Sequence, residues 1–127
     1  MVVSVVMCGG KLVSGSFDET IKIWNTATWA CERTLTEHSH FVYALVSTPD
    51  GGKLLSCSLD KTVKVWDTAT WACTRTLQCG HSVFSLKLCP DGVTVAAGLK
   101  RGKISLLNLR PVRPCALSKG TAAMCCL

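Results

Sequence analysis

The sequence predicts an all-β chain made of about three repeated, four-stranded antiparallel units. Three observations predict it. The stretch Lys53–Leu77 repeats almost word for word what stands at Lys11–Leu35, and a weakened version follows at Val93–Asn108. Trp24 and Trp66 lie 42 residues apart, as do Trp29 and Trp71. Short apolar runs alternate with Gly, Asp and Pro turns, with little sign of amphipathic helix. A period of about 40–45 residues whose third strand ends on Trp-Asp is that of a propeller blade, so the expected class is a partial β-propeller.

The elements follow in order. Val2–Met7 is an apolar strand, Cys8-Gly9-Gly10 a turn, and Lys11–Ser16 a second strand rich in small residues. Phe17–Thr20 turns the chain into Ile21–Trp24, where Lys22 and Trp24 share one face and Ile21 and Ile23 the other. Neither face is simply polar, which suits a sheet covered on both sides. Asn25–Thr28 is a turn and Trp29–Leu35 the fourth strand. After the polar connector Thr36–His40, strands are expected at Phe41–Ser47, Lys53–Ser58, Thr62–Trp66 and Trp71–Leu77, with Pro49-Asp50-Gly51 as the first hairpin turn. In that turn Pro presets φ, Asp caps and Gly supplies a positive φ. Gly80-His81 marks the next connector, before Val83–Leu88, a second Pro90-Asp91-Gly92 turn, Val93–Gly98 and Lys103–Asn108. Pro111 and Pro114 restrict Leu109–Ser118 to an outer edge strand. The blades are thus expected at about 2–35, 42–77 and 83–118, with 119–127 either a tail or the start of a further blade.

Composition narrows the classes. The 127 residues suffice for one domain, and 48% are apolar, enough to build a core. The net charge of +6 favours solubility and acidic partners. The charges are scattered, with one local concentration at Lys100, Arg101, Lys103, Arg110 and Arg113, so they read as solvated strand and loop charges rather than a nucleic-acid or membrane surface. Nine cysteines is an odd number, and several sit in strand patterns where a thiol behaves as a small hydrophobe. Met1–Met7 lacks the basic start and length of a signal peptide, and no stretch is long and apolar enough to span a membrane. A reducing cytoplasmic or nuclear setting is expected. Cys79, His81 and Cys89 match no zinc spacing, Met124 stands where a prenylated Cys would be needed, and no metal or cofactor is expected.

The chain resembles the WD-repeat β-propeller family over nearly its whole length. The residues that carry the resemblance are Leu12–Asp18 leading to Ile21–Asn25, Leu54–Asp60 leading to Val63–Asp67, Gly80-His81, and the two Pro-Asp-Gly turns. The resemblance implies that each blade is locked by a hydrogen-bond relay from Trp through Ser to His and Asp. In the second repeat the matching residues are Trp66, Ser56, His38 and Asp60, with His40 as a substitute for His38. In the first, Ser14, Asp18 and Trp24 match, and the His would precede Met1. In the third, His81 matches while Ala97, Arg101 and Leu107 replace the others, so that blade is expected to rest on apolar packing. The indole, hydroxyl, imidazole and carboxylate can form one unbroken donor–acceptor chain. Its role would be structural, and Ser56, His38 and Asp60 are not expected to be a nucleophilic triad.

Closed propellers use about four to eight blades, and this chain supplies about three. The preferred account is a piece of a longer propeller protein. Self-association to close a ring comes second, and an open arc on a partner third. The two strong repeats agree at about two thirds of positions, which indicates recent internal duplication and argues against residue-specific chemistry. The function expected is a non-catalytic scaffold for protein–protein interaction. The alternative is a substrate-targeting or regulatory module of a larger protein carrying a ubiquitin-ligase, kinase or zinc-finger segment. The residues expected to meet a protein or peptide partner are Phe17, Leu59 and Lys100 at the turns, with Phe41, Tyr43 and Phe84 at the connector ends.

Overall fold

The computed structural model describes residues 1–109 and, as backbone, 124–125. The first sheet contains β1 (Val2–Cys8), β2 (Lys11–Ser16), β3 (Ile21–Asn25) and β4 (Cys31–Leu35), in that spatial order. The second contains β5 (Val42–Ser47), β6 (Lys53–Ser58), β7 (Thr62–Asp67) and β8 (Ala72–Gln78), again as a meander. The third is built from β9 (Val83–Leu88), β10 (Thr94–Leu99) and β11 (Ile104–Asn108). Beside β11 runs the two-residue β12 (Met124–Cys125), in parallel, with Leu106 opposite Met124. The expected strand at 109–118 and the segment 119–127 lie mostly outside the described residues. All other pairings are antiparallel, and the architecture is a partial propeller of three blades.

The turns explain the strand ends. Gly51 has φ 72° and its amide donates to the Thr48 carbonyl at 2.8 Å, while Asp50 Oδ1 accepts from the Gly52 amide at 2.8 Å and the Thr48 hydroxyl at 2.7 Å. Gly92 repeats the geometry with φ 76°. The fourth strands begin later than the alternation predicts, at Cys31 and Ala72. Trp29 and Trp71 are left-handed, with φ 61° and 60°, and belong to the hairpin loops. Each donates its amide back four residues, to Asn25 and Asp67, at 2.7 and 2.6 Å. The side chains of Asn25 and Asp67 hold the loop by accepting the Ala27 and Ala69 amides at 2.7 and 2.9 Å. The hairpin loop chemistry therefore overrides the β propensity of the tryptophans.

Pairing places opposite residues on one face, so each sheet divides cleanly. Val13, Ile21 and Ile23 face the second blade and pack with Val42, Leu45, Leu54 and Trp66. The other face of the second blade, Leu55, Cys57, Val63, Val65 and Leu77, packs with Val83, Val95, Ala97 and Leu107. Arg75 ties the same seam by donating to the carbonyls of Leu109 at 3.0 Å and Asn108 at 3.3 Å. Gly15 lies where the first seam is close: a Cβ there would stand 2.8 Å from Val42 Cγ1.

Equivalent positions in the first two blades show what a neighbour contributes. Leu54 and Trp66 are 0% and 1% exposed, whereas Leu12 and Trp24, at the same register, are only half-buried. Truncation therefore has unequal consequences. Trp66→Ala should cost about 3–5 kcal/mol, and Trp24→Ala about 1–2 kcal/mol, in proportion to its partial burial. Urea denaturation of the two variants checks this; equal losses would contradict the assignment of Trp66 to a covered face and Trp24 to an uncovered one.

Candidate functional site

The second blade contains a complete polar chain. Trp66 Nε1–H donates to Ser56 Oγ at 2.9 Å, and Ser56 Oγ lies 2.7 Å from His38 Nε2. His38 Nδ1 lies 2.9 Å from Asp60 Oδ2, which also accepts the Ser39 amide at 3.0 Å. Asp60 Oδ1 accepts both the amide and the hydroxyl of Thr62, at 3.0 and 2.5 Å. The carboxylate can only accept, so Nδ1 carries the hydrogen that Asp60 receives; on a neutral ring Nε2 is then the acceptor, and the Ser56 hydroxyl donates to it while its oxygen takes the indole N–H. Burial drives the His38 pKa down, and this outweighs the upward pull of Asp60. The contact is accordingly a hydrogen bond rather than an ion pair, although its length alone would satisfy either. Burial alone would raise the Asp60 carboxyl, but the hydrogen bonds from Thr62, His38 and the Ser39 amide together hold it below the usual range.

With its hydroxyl donating to His38 and its oxygen taken up by the indole, Ser56 is fully buried, between strands, with no approach for a substrate. The arrangement orders a blade and gives no nucleophile access. His40 takes no part: its Nδ1 accepts the Phe41 amide at 2.9 Å, and its ring sits edge-on against Phe41.

The first blade keeps half of the chain. Trp24 Nε1–H donates to Ser14 Oγ at 3.0 Å. Asp18 caps its turn, accepting the Thr20 hydroxyl at 2.5 Å and amide at 3.1 Å.

In the third blade Ala97 and Leu107 are fully buried in the apolar seam. Arg101 stands at the Asp60 register and adopts φ 67°, beside Gly102 at 74°. It lacks the short carboxylate that lets Asp60 hold its turn. The sequence reading set His81 at the relay position of this blade, and the strand register moves it. Val83 pairs with Leu99 as Val42 pairs with Ser58, so counting back puts Cys79 in the place of His38 and His81 in that of His40. The cause is length: from Leu77 to Val83 the connector is one residue shorter than from Leu35 to Val42.

The six proposed contact residues come from all three blades, and four of them form a continuous row of rings. Phe17, from the first blade's turn, stacks on Phe41 with centroids 4.5 Å apart and 19° between planes. Its other neighbour, Tyr43, lies edge-on at 5.5 Å. Tyr43 in turn meets Phe84 of the third blade at 5.1 Å. Backbone bonds fix the row: the Phe17 amide donates to Met1, Leu59 to Phe41, and Lys100 to Ser82, at 2.9, 3.1 and 3.2 Å. Phe17, Phe41 and Tyr43 are half-buried, and Phe84 remains 40% exposed. Leu59 is half-buried at its turn and Lys100 exposed.

A recess that sequence patterning does not single out lies between two blades. A groove of about 410 Å³ lies between Pro49 and Asp50 of one blade and Gly92 and Val93 of the next, with Leu109 in its lining. The recurrence of Pro-Asp-Gly at one end of successive blades was the available signal. Cys8 and Cys57 are buried, and burial pushes the Cys57 thiol up to about 12, so it is inert at neutral pH. Among the described residues no three His, Cys, Asp or Glu side chains cluster to hold a metal ion, and no helix is long and apolar enough to cross a membrane.

The relay has a pH signature. The unfolded imidazole titrates near 6.5 and the folded one lower, so the unfolded state binds the extra proton. This part of the stability is intact above pH 6.5 and lost as pH falls below it. Asp60 adds a further loss only below its ordinary 3.8. The urea midpoint should therefore fall between about pH 7.5 and about pH 5, and that fall should shrink in His38→Asn, itself less stable at both. An unchanged slope in the variant would contradict the neutral imidazole.

The match to known proteins follows the same frame. Residues 3–25 and 29–67 fit the family described as WD domain, G-beta repeat. The first match covers β1 to β3, and the second runs from the loop before β4 to the end of β7. That second unit straddles two blades and carries all four residues of the complete polar chain. The chain carries WD repeats over these residues, and its three sheets have the blade architecture of that repeat.

Proposed function

We propose that this protein is a non-catalytic scaffold that binds a protein or peptide partner along the row Phe17, Phe41, Tyr43 and Phe84. WD repeats are interaction modules, and the observation that supports this surface is the continuity of the rings across all three blades. Amphipathic aromatic rings on a stiff frame offer large contact area at small entropic cost, which is why they recur where partners bind. Leu59 and Lys100 flank the row and extend it with an aliphatic and a cationic contact. The partner chemistry that fits is an extended segment with apolar side chains and acidic flanks.

The same surface serves the alternative in which the propeller targets or regulates a catalytic or zinc-finger segment of a larger protein. The two differ in what the captured partner is used for, not in where it binds.

Selection from a displayed peptide library tests the site. The immobilised chain should enrich peptides with apolar or aromatic residues. Phe84→Ser, chosen because its ring is the most exposed, should weaken their binding by about tenfold or more while the melting temperature moves by no more than about 2 °C. Selected peptides that bind the variant as tightly as the parent chain would reduce the row to inter-blade packing.

A further inference from the structure

Among the described residues nothing covers the outer face of the first blade, and the chain itself records what covers such a face. In the seam between the first two blades, Val42 and Leu45 of β5 press into the space left by Gly15 on the neighbouring sheet, at 2.8 and 3.4 Å from where a Cβ would stand. Register identifies the counterparts. Val2 and Val5 stand opposite Ser16 and Ser14 as Val42 and Leu45 stand opposite Ser58 and Ser56. Both valines are solvent-exposed, at 57% and 56%, where Val42 and Leu45 are buried.

The socket also has a counterpart. Gly15 pairs with Ile21 in the first blade, and Gly98 pairs with Ile104 in the third. Gly98 is the last such position in the stack, and it lies on the third blade's outer face with Ala96, Ile104 and Leu106. Ile104 is 63% exposed, where Ile21, in its place in the first blade, is 1%. The second blade has Cys57 there, so a glycine is not obligatory at this register. The uncovered faces are therefore the two halves of one kind of seam. One offers Val2, Val5, Leu12 and Trp24, and the other a glycine flanked by small and branched apolar residues, where the Ser85 hydroxyl of the same sheet lies over Gly98 and must turn aside for a neighbour to seat. Lys22 is no obstacle, because Lys64 occupies the same register in the existing seam, half-buried and bonded to Thr76 at 3.1 Å.

We propose that the occupant of the first blade's outer face is the third blade of a second copy of this chain, docked head to tail with Val2 and Val5 over Gly98. The contact continues the seams already present within the chain. It is heterologous, and a half-turn between the copies lets the contact form twice and closes the assembly. Two copies of the three described sheets give six blades, inside the range of about four to eight that closed propellers use.

Light scattering on the chromatographed full chain tests this with Val5→Asp and Ile104→Asp, both surface changes in the single chain. The parent chain should run near 27 kDa, twice 13.6 kDa, at micromolar concentration. Each variant should run at 13.6 kDa while retaining the strand circular dichroism of the parent. An equimolar mixture of the two variants should recover part of the dimer, because one of its two seams is unaltered. A monomeric parent chain overturns the proposal and leaves the face to blades of another protein. Dimers abolished by Val5→Asp but untouched by Ile104→Asp overturn it in favour of a face-to-face pair, and open-ended polymers overturn the closed ring.

Discussion

Every sheet has two faces, and a stack of sheets covers all but the first and the last. That constraint governs this molecule more than any single bond. Residues of nearly identical sequence take different burial according to their place in the stack. Trp66 is sealed and Trp24 half-open, although both donate their indole hydrogen to a serine at the same register. Apolar burial stabilises in proportion to the area removed from water, so the middle blade draws on both neighbours and each outer blade on one.

The polar chain of the middle blade depends on that sealing. A buried indole, hydroxyl and imidazole are costly unless each finds its partner, and here each does. Burial keeps His38 neutral, neutrality lets Nε2 accept from Ser56, and Asp60 fixes the tautomer from the other side. The third blade takes a different solution at the same positions. Ala97 and Leu107 fill the space with carbon, and these two positions have no donor or acceptor that calls for a histidine. The shortened connector that displaces His81 is then without penalty.

Binding capacity and frame stability occupy different parts of the blade. The relay and the two seams lie between sheets, while the aromatic row runs over turn and connector ends. Rigid sheets beneath exposed ends are a common way to hold a contact surface in place. Duplication copies the frame with exchanges of one apolar residue for another, such as Ile21 for Val63, while the turn position changes chemical character: Phe17 in one repeat is Leu59 in the next and Lys100 in the third.

The sequence by itself determined the blades. Alternation with period two, turn residues that can adopt positive φ and a 42-residue recurrence are local properties, and they place β1 to β11 to within about two residues. The trio Ser56, Asp60 and Trp66 was legible for the same reason, as words within a repeat, and His38 through the family resemblance. Tertiary structure decided the rest. The left-handed loop ends at Trp29 and Trp71 come from backbone bonds four residues apart, which compete with strand alternation. Whether His81 or Cys79 stands at the relay position depends on pairing register across a connector, which residue spacing alone does not set. The meeting of Phe17, Phe41, Tyr43 and Phe84 joins residues up to 67 positions apart, from three sheets. Periodicity reports which face of a strand is apolar; only the stacking of sheets decides which apolar face is covered, because coverage is a property of the neighbour.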